Sequence, residues 1–101
     1  MNKMYKLVYD KAVVKFLDKL SKNNKKQVIA IFKAINTIKD NPHVYKKMKG
    51  QFKGTKRKRQ GDYRIIFDID DKNNRIIILD IGKRNTIYKR KRSWVKLLTN
   101  I

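Results

Sequence analysis

The chain has 101 residues, of which 41% are hydrophobic, so it is large enough for one domain with a modest core and too apolar for a disordered tail. Lysine and arginine number 28 against 8 acidic residues, and the resulting net charge of +20 favours a polyanionic partner such as nucleic acid or an acidic protein. The lack of cysteine excludes disulfides, thiolate metal sites and cysteine nucleophiles. No signal-like segment and no run of about 18 apolar residues occurs, which predicts a cytoplasmic protein without membrane contact.

The first half of the chain predicts a strand followed by two helices. Met4–Tyr9 alternates weakly between polar and apolar residues, as a strand does, and Asp10 can cap the helix that follows. Apolar residues recur at helical spacing over 12–20 and again over 28–38, with a polar break between the two runs. The second helix should end near Pro42, because proline disfavours a helical residue before it. The two helices are expected to form an antiparallel hairpin with their lysines on a solvated outer face.

The second half predicts three strands and a last helix. Residues 55–59, 63–69 and 75–81 have strand character, and the turns between them are short enough for hairpins, so the strands should be antiparallel neighbours. Ile76-Ile77-Ile78-Leu79 is apolar on both faces, which suggests a central strand covered on both sides. Helical spacing returns over Thr86–Leu98. The order β-α-α-β-β-β-α predicts an α+β fold, a helical hairpin packed on a small antiparallel sheet, in one domain over 1–101.

The acidic residues and the histidine limit the chemistry that the chain can perform. All the acidic residues are aspartates, and His43 is the only histidine, so a catalytic pair of histidines is impossible. His43 follows the proline at the predicted helix end, which favours a solvated or capping role over catalysis. Residues 68–74 contain three aspartates followed by Lys-Asn-Asn, a pattern typical of a polar hairpin turn, and they lack the glycine and glutamate of a calcium loop. The sequence therefore predicts no metal and no cofactor.

Arginines are expected to converge on the sheet face opposite the helices. Tyr63, Ile65 and Phe67 alternate with Arg64, which puts the arginine on the far side from the apolar residues. Arg57 and Arg59 share the parity of one face, Arg84 lies just past the third strand, and Tyr88 follows one helical turn later. Such a surface suits a phosphodiester, because arginine holds two phosphate oxygens and tyrosine can stack on a base. A basic edge strand kept soluble by its charge is the alternative interpretation.

Four short motifs resemble landmarks of the RelE/ParE toxin superfamily. Gly61-Asp62-Tyr63-Arg64-Ile65-Ile66-Phe67 resembles its Gly-Asp/Asn-Tyr-Arg-hydrophobic motif. Gly82-Lys83-Arg84 followed by Tyr88 resembles a second motif at a strand end. Asn41-Pro42 and Lys47-Met48-Lys49-Gly50 resemble two shorter landmarks. No single motif is specific, but the combination spans almost the whole chain in the right order.

The resemblance implies a toxin of a type II toxin–antitoxin system with a core like that of microbial ribonucleases. RelE-type members enter the ribosomal A site and cut mRNA there, by attack of the 2′-hydroxyl on the adjacent phosphorus and without a metal ion. The implied partners are ribosomal RNA, mRNA and an acidic, RelB-like antitoxin. The antitoxin is expected to cover the sheet or to displace the last helix.

The resemblance also implies roles for individual residues. Arg64 corresponds to an arginine that engages the scissile phosphate, Arg84 to one that stabilises the transition state, and Tyr88 to a tyrosine that stacks on a base or moves a proton. Arg57 aligns with one of two catalytic strand lysines. The other lysine position falls on Thr55, which leaves the general base open, with Lys53 and Lys56 as candidates. The residues implied to bind RNA or the ribosome are Lys49, Lys53, Lys56, Arg59 and Lys83.

Two other functions stay open at the level of sequence. ParE-like members bind and poison DNA gyrase and lack the catalytic residues, so the presence of Arg84 and Tyr88 argues against that function. A second alternative is an RNA- or ribosome-binding module without activity. Cleavage of mRNA, or co-purification with gyrase, distinguishes these hypotheses.

Overall fold

A computed structural model describes residues 4–49 and 54–87 of the chain. The elements follow the predicted order, with a short 3-10 turn at Pro42–Val44 after the second helix. They are β1 (Lys6–Tyr9), α1 (Lys11–Asn23), α2 (Lys25–Asp40), β2 (Lys56–Gln60), β3 (Tyr63–Asp70), β4 (Arg75–Lys83) and α3 (Arg84–Ile87). The predicted last helix thus begins at Arg84 rather than Thr86, and its part beyond Ile87 lies outside the described residues.

The helical hairpin is delimited by two side-chain caps. Asp10 Oδ1 accepts a hydrogen bond from the backbone N–H of Ala12 at 2.9 Å, as predicted for the start of α1. Asn24 separates the helices, and its Oδ1 accepts from the N–H of Gln27 at 3.1 Å, which caps α2. Each cap satisfies a backbone donor that the helix itself leaves unpaired, and such caps typically contribute about 0.5–2 kcal/mol. These caps fix where the hairpin begins and turns, and therefore which face it presents to the sheet.

The four strands form one sheet in the order β1-β4-β3-β2. The prediction that β2, β3 and β4 are antiparallel neighbours is confirmed, and β4 is an interior strand. β1 pairs with β4 in parallel, so the sheet is mixed rather than wholly antiparallel. No tight turn constrains the direction of β1, because the chain reaches β4 only after both helices and two strands. Of the apolar run in β4, Ile76 and Ile78 are fully buried, whereas Ile77 and Leu79 are partly exposed.

A bulge in β4 decides which side chains face the helices. Phe67 pairs with Ile78 and Ile66 pairs with Asp80, so Leu79 is the extra residue between the two pairs. The bulge lets both Ile78 and Ile81 face the hairpin and turns Asp80 to the opposite side. The core between hairpin and sheet is formed by these isoleucines with Val13, Leu17, Ile31, Ala34, Ile35, Ile38, Ile65, Phe67 and Ile76.

The hairpin between β3 and β4 is closed by the carboxylate of Asp70. Its oxygens accept hydrogen bonds from the backbone and side chain of Asn73, at 3.2 and 2.9 Å, and from Arg75 Nη2 at 2.7 Å. Asn74 has a φ of +53°, a turn conformation that asparagine tolerates. The hydrogen bonds to Asn73 and Arg75 lower the pKa of Asp70 from 3.8 to about 2. The sequence prediction of a polar hairpin turn here is therefore confirmed.

Asp70 should make the stability of the fold sensitive to acid. Because its pKa is lower in the folded chain, its contribution is fully present above pH 3.8 and is lost as the pH falls through about 2. We expect Asp70→Asn to lower the free energy of unfolding at neutral pH, and the difference from wild type to shrink across this range. Chemical denaturation at a series of pH values measures the difference. Asp62→Asn, at an exposed turn, controls for the loss of one negative charge. A difference that is independent of pH would contradict the assignment.

A candidate nucleic-acid interface

The sheet face opposite the helical hairpin carries two rows of residues that cross the strands. One row is Arg59, Arg64 and Gly82, and the other is Arg57, Ile66 and Asp80. Arg59 lies directly opposite Arg64 on the neighbouring strand. Like charges at such a position repel each other, so the pair is poised to accept an anion between its guanidinium groups. The predicted convergence of Arg57, Arg59 and Arg64 on one face is what the register shows.

A cleft, called here the cationic cleft, opens at the end of this face where β2 turns into β3. It has a volume of about 430 Å³. Gly61, at the turn, has a φ of +58°, which glycine adopts without strain. Cations reach the cleft from β2, from β3, from the end of β4 and from the start of α3. The lining residues are Arg59, Gly61, Asp62, Arg64, Lys83, Arg84 and Asn85.

Arg64 differs from the other cations of the cleft because it is buried. It is only 5% exposed, whereas Arg59, Lys83 and Arg84 are exposed. Its Nη1 donates to the carbonyl of Tyr63 at 3.3 Å, and the Tyr63 ring packs edge-on against Phe16. Its register partner, Gly82, adds no side chain at this position of the face. Arg64 is therefore held in place before any ligand arrives, which is the condition for electrostatic preorganisation.

The pattern of the sequence did not single out Asp80, which lies on the same face. Its side chain is 1% exposed, and the register places it diagonally across from Arg64. Aspartate is almost never fully buried without a compensating partner. The sequence contained one signal that could have identified Asp80: it is an aspartate within an apolar strand, between Leu79 and Ile81. Asp80 is therefore suited to positioning the arginines of this face rather than to contacting an anionic ligand.

The other residues predicted to take part in the site do not line the cationic cleft where the structure describes them. Lys56 lies on the helix-facing side of β2, where its Nζ donates to the carbonyl oxygens of Tyr45 at 2.6 Å and His43 at 3.4 Å. Arg57 does not line the cationic cleft but a second cavity beside it. Lys49 is exposed in the connection before residue 50. Lys53 and Tyr88, to which the resemblance gives roles, lie outside the described residues.

His43 belongs to a hydrogen-bonded cluster at the opposite end of the sheet. Its Nε2 lies 3.1 Å from Asp71 Oδ2, and the hydroxyl of Tyr5 donates to Asp71 Oδ1 at 2.6 Å. The hydrogen bond to Asp71, together with burial, raises the pKa of Tyr5. Asp71 follows the end of β3, and the six residue steps from Arg64 to Asp70 span about 20 Å of extended strand. The histidine is thus too far from the cationic cleft to transfer a proton there.

Asp68 is also distant from the cleft. It shares the strand face of Arg64, and burial raises the pKa of its carboxyl group. Its Oδ1 accepts from the N–H of Ile69 at 2.9 Å. The four residue steps from Arg64 to Asp68 correspond to about 13 Å along the strand, which is beyond hydrogen-bond reach of a phosphate bound at Arg64.

Residues 4–49 and 54–87 contain neither a candidate metal site nor a candidate membrane-spanning helix. No group of three or more histidine or aspartate side chains in these ranges is arranged to hold a metal ion. In the same part of the chain, no helix combines the length and the apolar character that a membrane span requires.

Comparison with known proteins agrees with the fold and the motifs. The sequence model of the family described as "ParE toxin of type II toxin-antitoxin system, parDE" matches residues 7–88. A protein of Methanocaldococcus jannaschii that carries the toxin name RelE4 is 33% identical over 90 residues, which cover 88% of this chain and 96% of that protein. The toxin–antitoxin complex RelBE2 of Mycobacterium tuberculosis contains a chain with a TM-score of 0.67 and 26% identity, covering 79% of this chain and 98% of that one. For the archaeal RelE–RelB complex of Pyrococcus horikoshii the TM-score is 0.64 and the identity 27%, over 80% and 96% of the two chains.

The similar solved structures place this fold among the toxins of toxin–antitoxin complexes. Together with the family match over most of the chain, they show that the protein is a member of the RelE/ParE family of type II toxin–antitoxin toxins. The family predicted from the motifs is thereby confirmed.

Proposed function

We propose that the protein is a ribosome-dependent endoribonuclease that cleaves mRNA in the A site and so stops translation. The observation that carries the proposal is the cationic cleft, in which Arg64 from β3 and Arg84 from α3 line one cavity. Both residues match the family motifs to which catalytic arginines belong. The proposed reaction places the protein in the cytoplasm, where the ribosomes are.

The proposed reaction is an internal transesterification of RNA. The 2′-oxygen forms a bond to the adjacent phosphorus, and the bond from phosphorus to the 5′-oxygen breaks. The 2′-hydroxyl loses a proton and the 5′-oxygen gains one, so the products are a 2′,3′-cyclic phosphate and a 5′-hydroxyl. Negative charge develops on the phosphate oxygens, and Arg64 and Arg84 are positioned to stabilise it, as in other preorganised anion sites. Arg57 and Tyr88 keep the catalytic roles that the resemblance implies.

Proton transfer is the weaker part of the proposed site. Lys56 faces away from the cationic cleft and donates to two backbone carbonyls, which leaves Lys53 as the stronger of the two candidates for the base. A site with a poor acid–base pair cleaves free RNA slowly. The ribosome can compensate by holding the mRNA in an attack geometry, since orientation contributes up to about 7–11 kcal/mol in good cases.

Expression of the toxin without an antitoxin should arrest growth by stopping translation. We expect amino-acid incorporation to fall within minutes of induction, and new mRNA ends to appear within codons when they are mapped by primer extension. Arg84→Ala, expressed to the same level, is the control.

The family model that matches this chain is described by the name ParE, so inhibition of DNA gyrase is the second candidate function. Collapse of DNA synthesis with unchanged amino-acid incorporation would favour gyrase, and arrest without new mRNA ends would favour a module that only binds.

We also propose an acidic antitoxin as the partner that neutralises the toxin. The net charge of +20 supports this, as do the similar solved structures, which are toxin–antitoxin complexes. An apolar groove of about 320 Å³ on the helical hairpin gives such a partner a place to bind in addition to the sheet and the last helix. Val14 and Phe32 are exposed and line the groove together with Asp18, and Ile29 is exposed one helical turn from Phe32 on α2. Lysines stand one helical turn from Val14 and Ile29. The apolar face of an amphipathic helix matches the groove, and acidic residues at its flanks match the lysines of the surrounding helix surface.

Loss of the Phe32 ring should weaken the complex. Phe32→Asp removes an apolar contact worth about 1.5–3 kcal/mol, so we expect the antitoxin Kd to rise at least tenfold in isothermal calorimetry. Asn36→Asp adds the same charge one turn further along α2 without removing the ring, and should change the Kd much less. Raising the salt concentration should weaken binding of the wild type without abolishing it, because the apolar contacts persist. Equal effects of the two variants would place the antitoxin elsewhere.

A further inference from the structure

A second cavity, called here the edge pocket, lies beside strand β2. It has a volume of about 340 Å³ and combines apolar, aromatic and cationic side chains. Its lining residues are Val44, Tyr45, Lys46, Arg57, Lys58 and Arg59. None of the motifs that define the family includes Val44 or Tyr45. The resemblance to the family therefore assigns no role to the apolar side of this pocket.

The edge pocket adjoins the cationic cleft. Arg59 lines both cavities. Arg57 and Arg59 lie on the same strand face, two residues or about 6.6 Å apart. That separation is comparable to the distance between successive phosphates of an extended single strand. A ligand with regularly spaced negative charges can thus run from the cleft into the pocket without leaving the arginines.

The apolar side of the edge pocket is held in place. The Tyr45 ring packs edge-on against the buried Phe67, with centroids 5.6 Å apart. Lys56 fixes the backbone next to it through the carbonyls of His43 and Tyr45. Val44 remains 65% exposed. A rigid aromatic ring next to an exposed aliphatic side chain and flanking cations is the combination that proteins use for an unstacked base and its phosphate.

Lys58 covers the Tyr45 ring. Its Nζ lies 5.0 Å from the ring centroid, as in a cation–π contact. Stacking of a base on an aromatic ring is the stronger of the two interactions. A base can therefore displace the ammonium group, which then stays close to the phosphate that accompanies the base.

We propose that the edge pocket binds one unstacked nucleotide of single-stranded RNA, next to the nucleotide held in the cationic cleft. Val44 and Tyr45 contact the base, and Arg57 and Lys46 contact the phosphate. A base-paired helix does not fit this description, because its bases are not available for stacking. The inference rests on the proposed function, since it extends the same RNA by one nucleotide.

Binding of a short RNA to the full chain tests this inference. The probe is a fluorescent pentanucleotide of 2′-O-methyl adenosines, which cannot be cleaved, together with five versions that each carry one abasic position. Fluorescence anisotropy at about 0.15 M ionic strength gives each Kd. The Tyr45→Leu variant keeps an apolar contact with Phe67 and removes the stacking surface. We expect it to bind the intact probe roughly tenfold more weakly. We expect the difference to vanish for the probe with the abasic site at the nucleotide in the edge pocket.

Two controls make the result specific. Val44→Ser changes the pocket without touching the core and should show the same dependence on the abasic position, which guards against misfolding of the Tyr45 variant. Lys33→Ala removes a charge on the helical hairpin and should weaken all probes equally and slightly. A loss that is the same for the intact probe and for every abasic probe would overturn the inference. If the wild type cleaves mRNA on the ribosome but the effect of the variants does not depend on the abasic position, the inference about the edge pocket is wrong and the proposed function is supported. If the effect of the variants depends on the abasic position but the ribosome-bound mRNA stays intact, nucleotide binding in the edge pocket is supported and the proposed function is wrong.

Discussion

Replacing Arg84 or Arg64 with alanine is expected to lower the rate of mRNA cleavage on a programmed ribosome by roughly 10²-fold or more. Loss of one preorganised donor to a developing oxyanion has an effect of this size in other enzymes. Ribosome affinity should change far less, because the rest of the +20 charge continues to attract ribosomal RNA. Arg84 is exposed, so its removal tests the chemistry without a cost in stability. Arg64 is buried, so its variant must first be shown to be folded.

The measurement is single-turnover cleavage beside equilibrium binding to the same ribosomes. Lys22→Ala and Lys33→Ala serve as controls, since each removes one exposed cation of the helical hairpin. They should leave cleavage nearly unchanged and reduce the salt dependence of binding slightly. Arg64→Lys keeps the charge but loses the planar fork, so an intermediate rate is expected. If Arg64→Ala loses binding and cleavage in equal proportion, the cationic cleft is a docking surface and the catalytic role is wrong.

The sequence was sufficient for those parts of the fold that local patterns determine. Asp10 and Asn24 cap the helices where a polar residue precedes an amphipathic run, and Gly61 lies in the turn of a short hairpin. The direction of β1 depends on pairing with a strand far along the chain, and no local pattern encodes it. The bulge at Leu79 was hidden for a similar reason. Strict alternation puts Asp80 on the same face as Ile78, whereas the extra residue turns it to the other face.

The candidate site was predictable to the extent that it depends on strand parity. Alternation alone put Arg57, Arg59 and Arg64 on one face, and the register confirms that arrangement. It also indicated that Lys56 has the opposite parity, and the structure places it toward the helices. Tyr45, in the edge pocket, comes from a connection without periodicity, so only the folded chain brings it to the arginines. The contribution of Asp80 required knowledge of burial, which the residue pattern does not provide.

Replacing Asp80 with asparagine is expected to cost roughly 3–5 kcal/mol of stability, the size of effect seen when one partner of a buried charge pair is removed. The reason is the burial of Arg64, which is only 5% exposed and lies diagonally across from a carboxylate that is 1% exposed. A buried guanidinium group is costly without a nearby negative charge, and Asn keeps the shape of the side chain while removing that charge. This loss is large compared with the free energy of unfolding of a typical domain, which is about 5–15 kcal/mol. Chemical denaturation measures it, with Asp62→Asn at the exposed turn as the control that should stay within about 0.5 kcal/mol of wild type.

A double-mutant cycle shows whether Asp80 acts through Arg64. If the two side chains compensate each other, Asp80→Asn combined with Arg64→Gln should cost clearly less than the sum of the two single variants, because no buried charge is then left alone. Catalysis provides a second readout. Wherever Asp80→Asn remains folded, cleavage on the ribosome should fall while binding is retained, since Arg64 keeps its charge but loses its fixed position. Strictly additive costs in the cycle, together with an unchanged cleavage rate, would show that Asp80 is buried for a reason unrelated to the arginine.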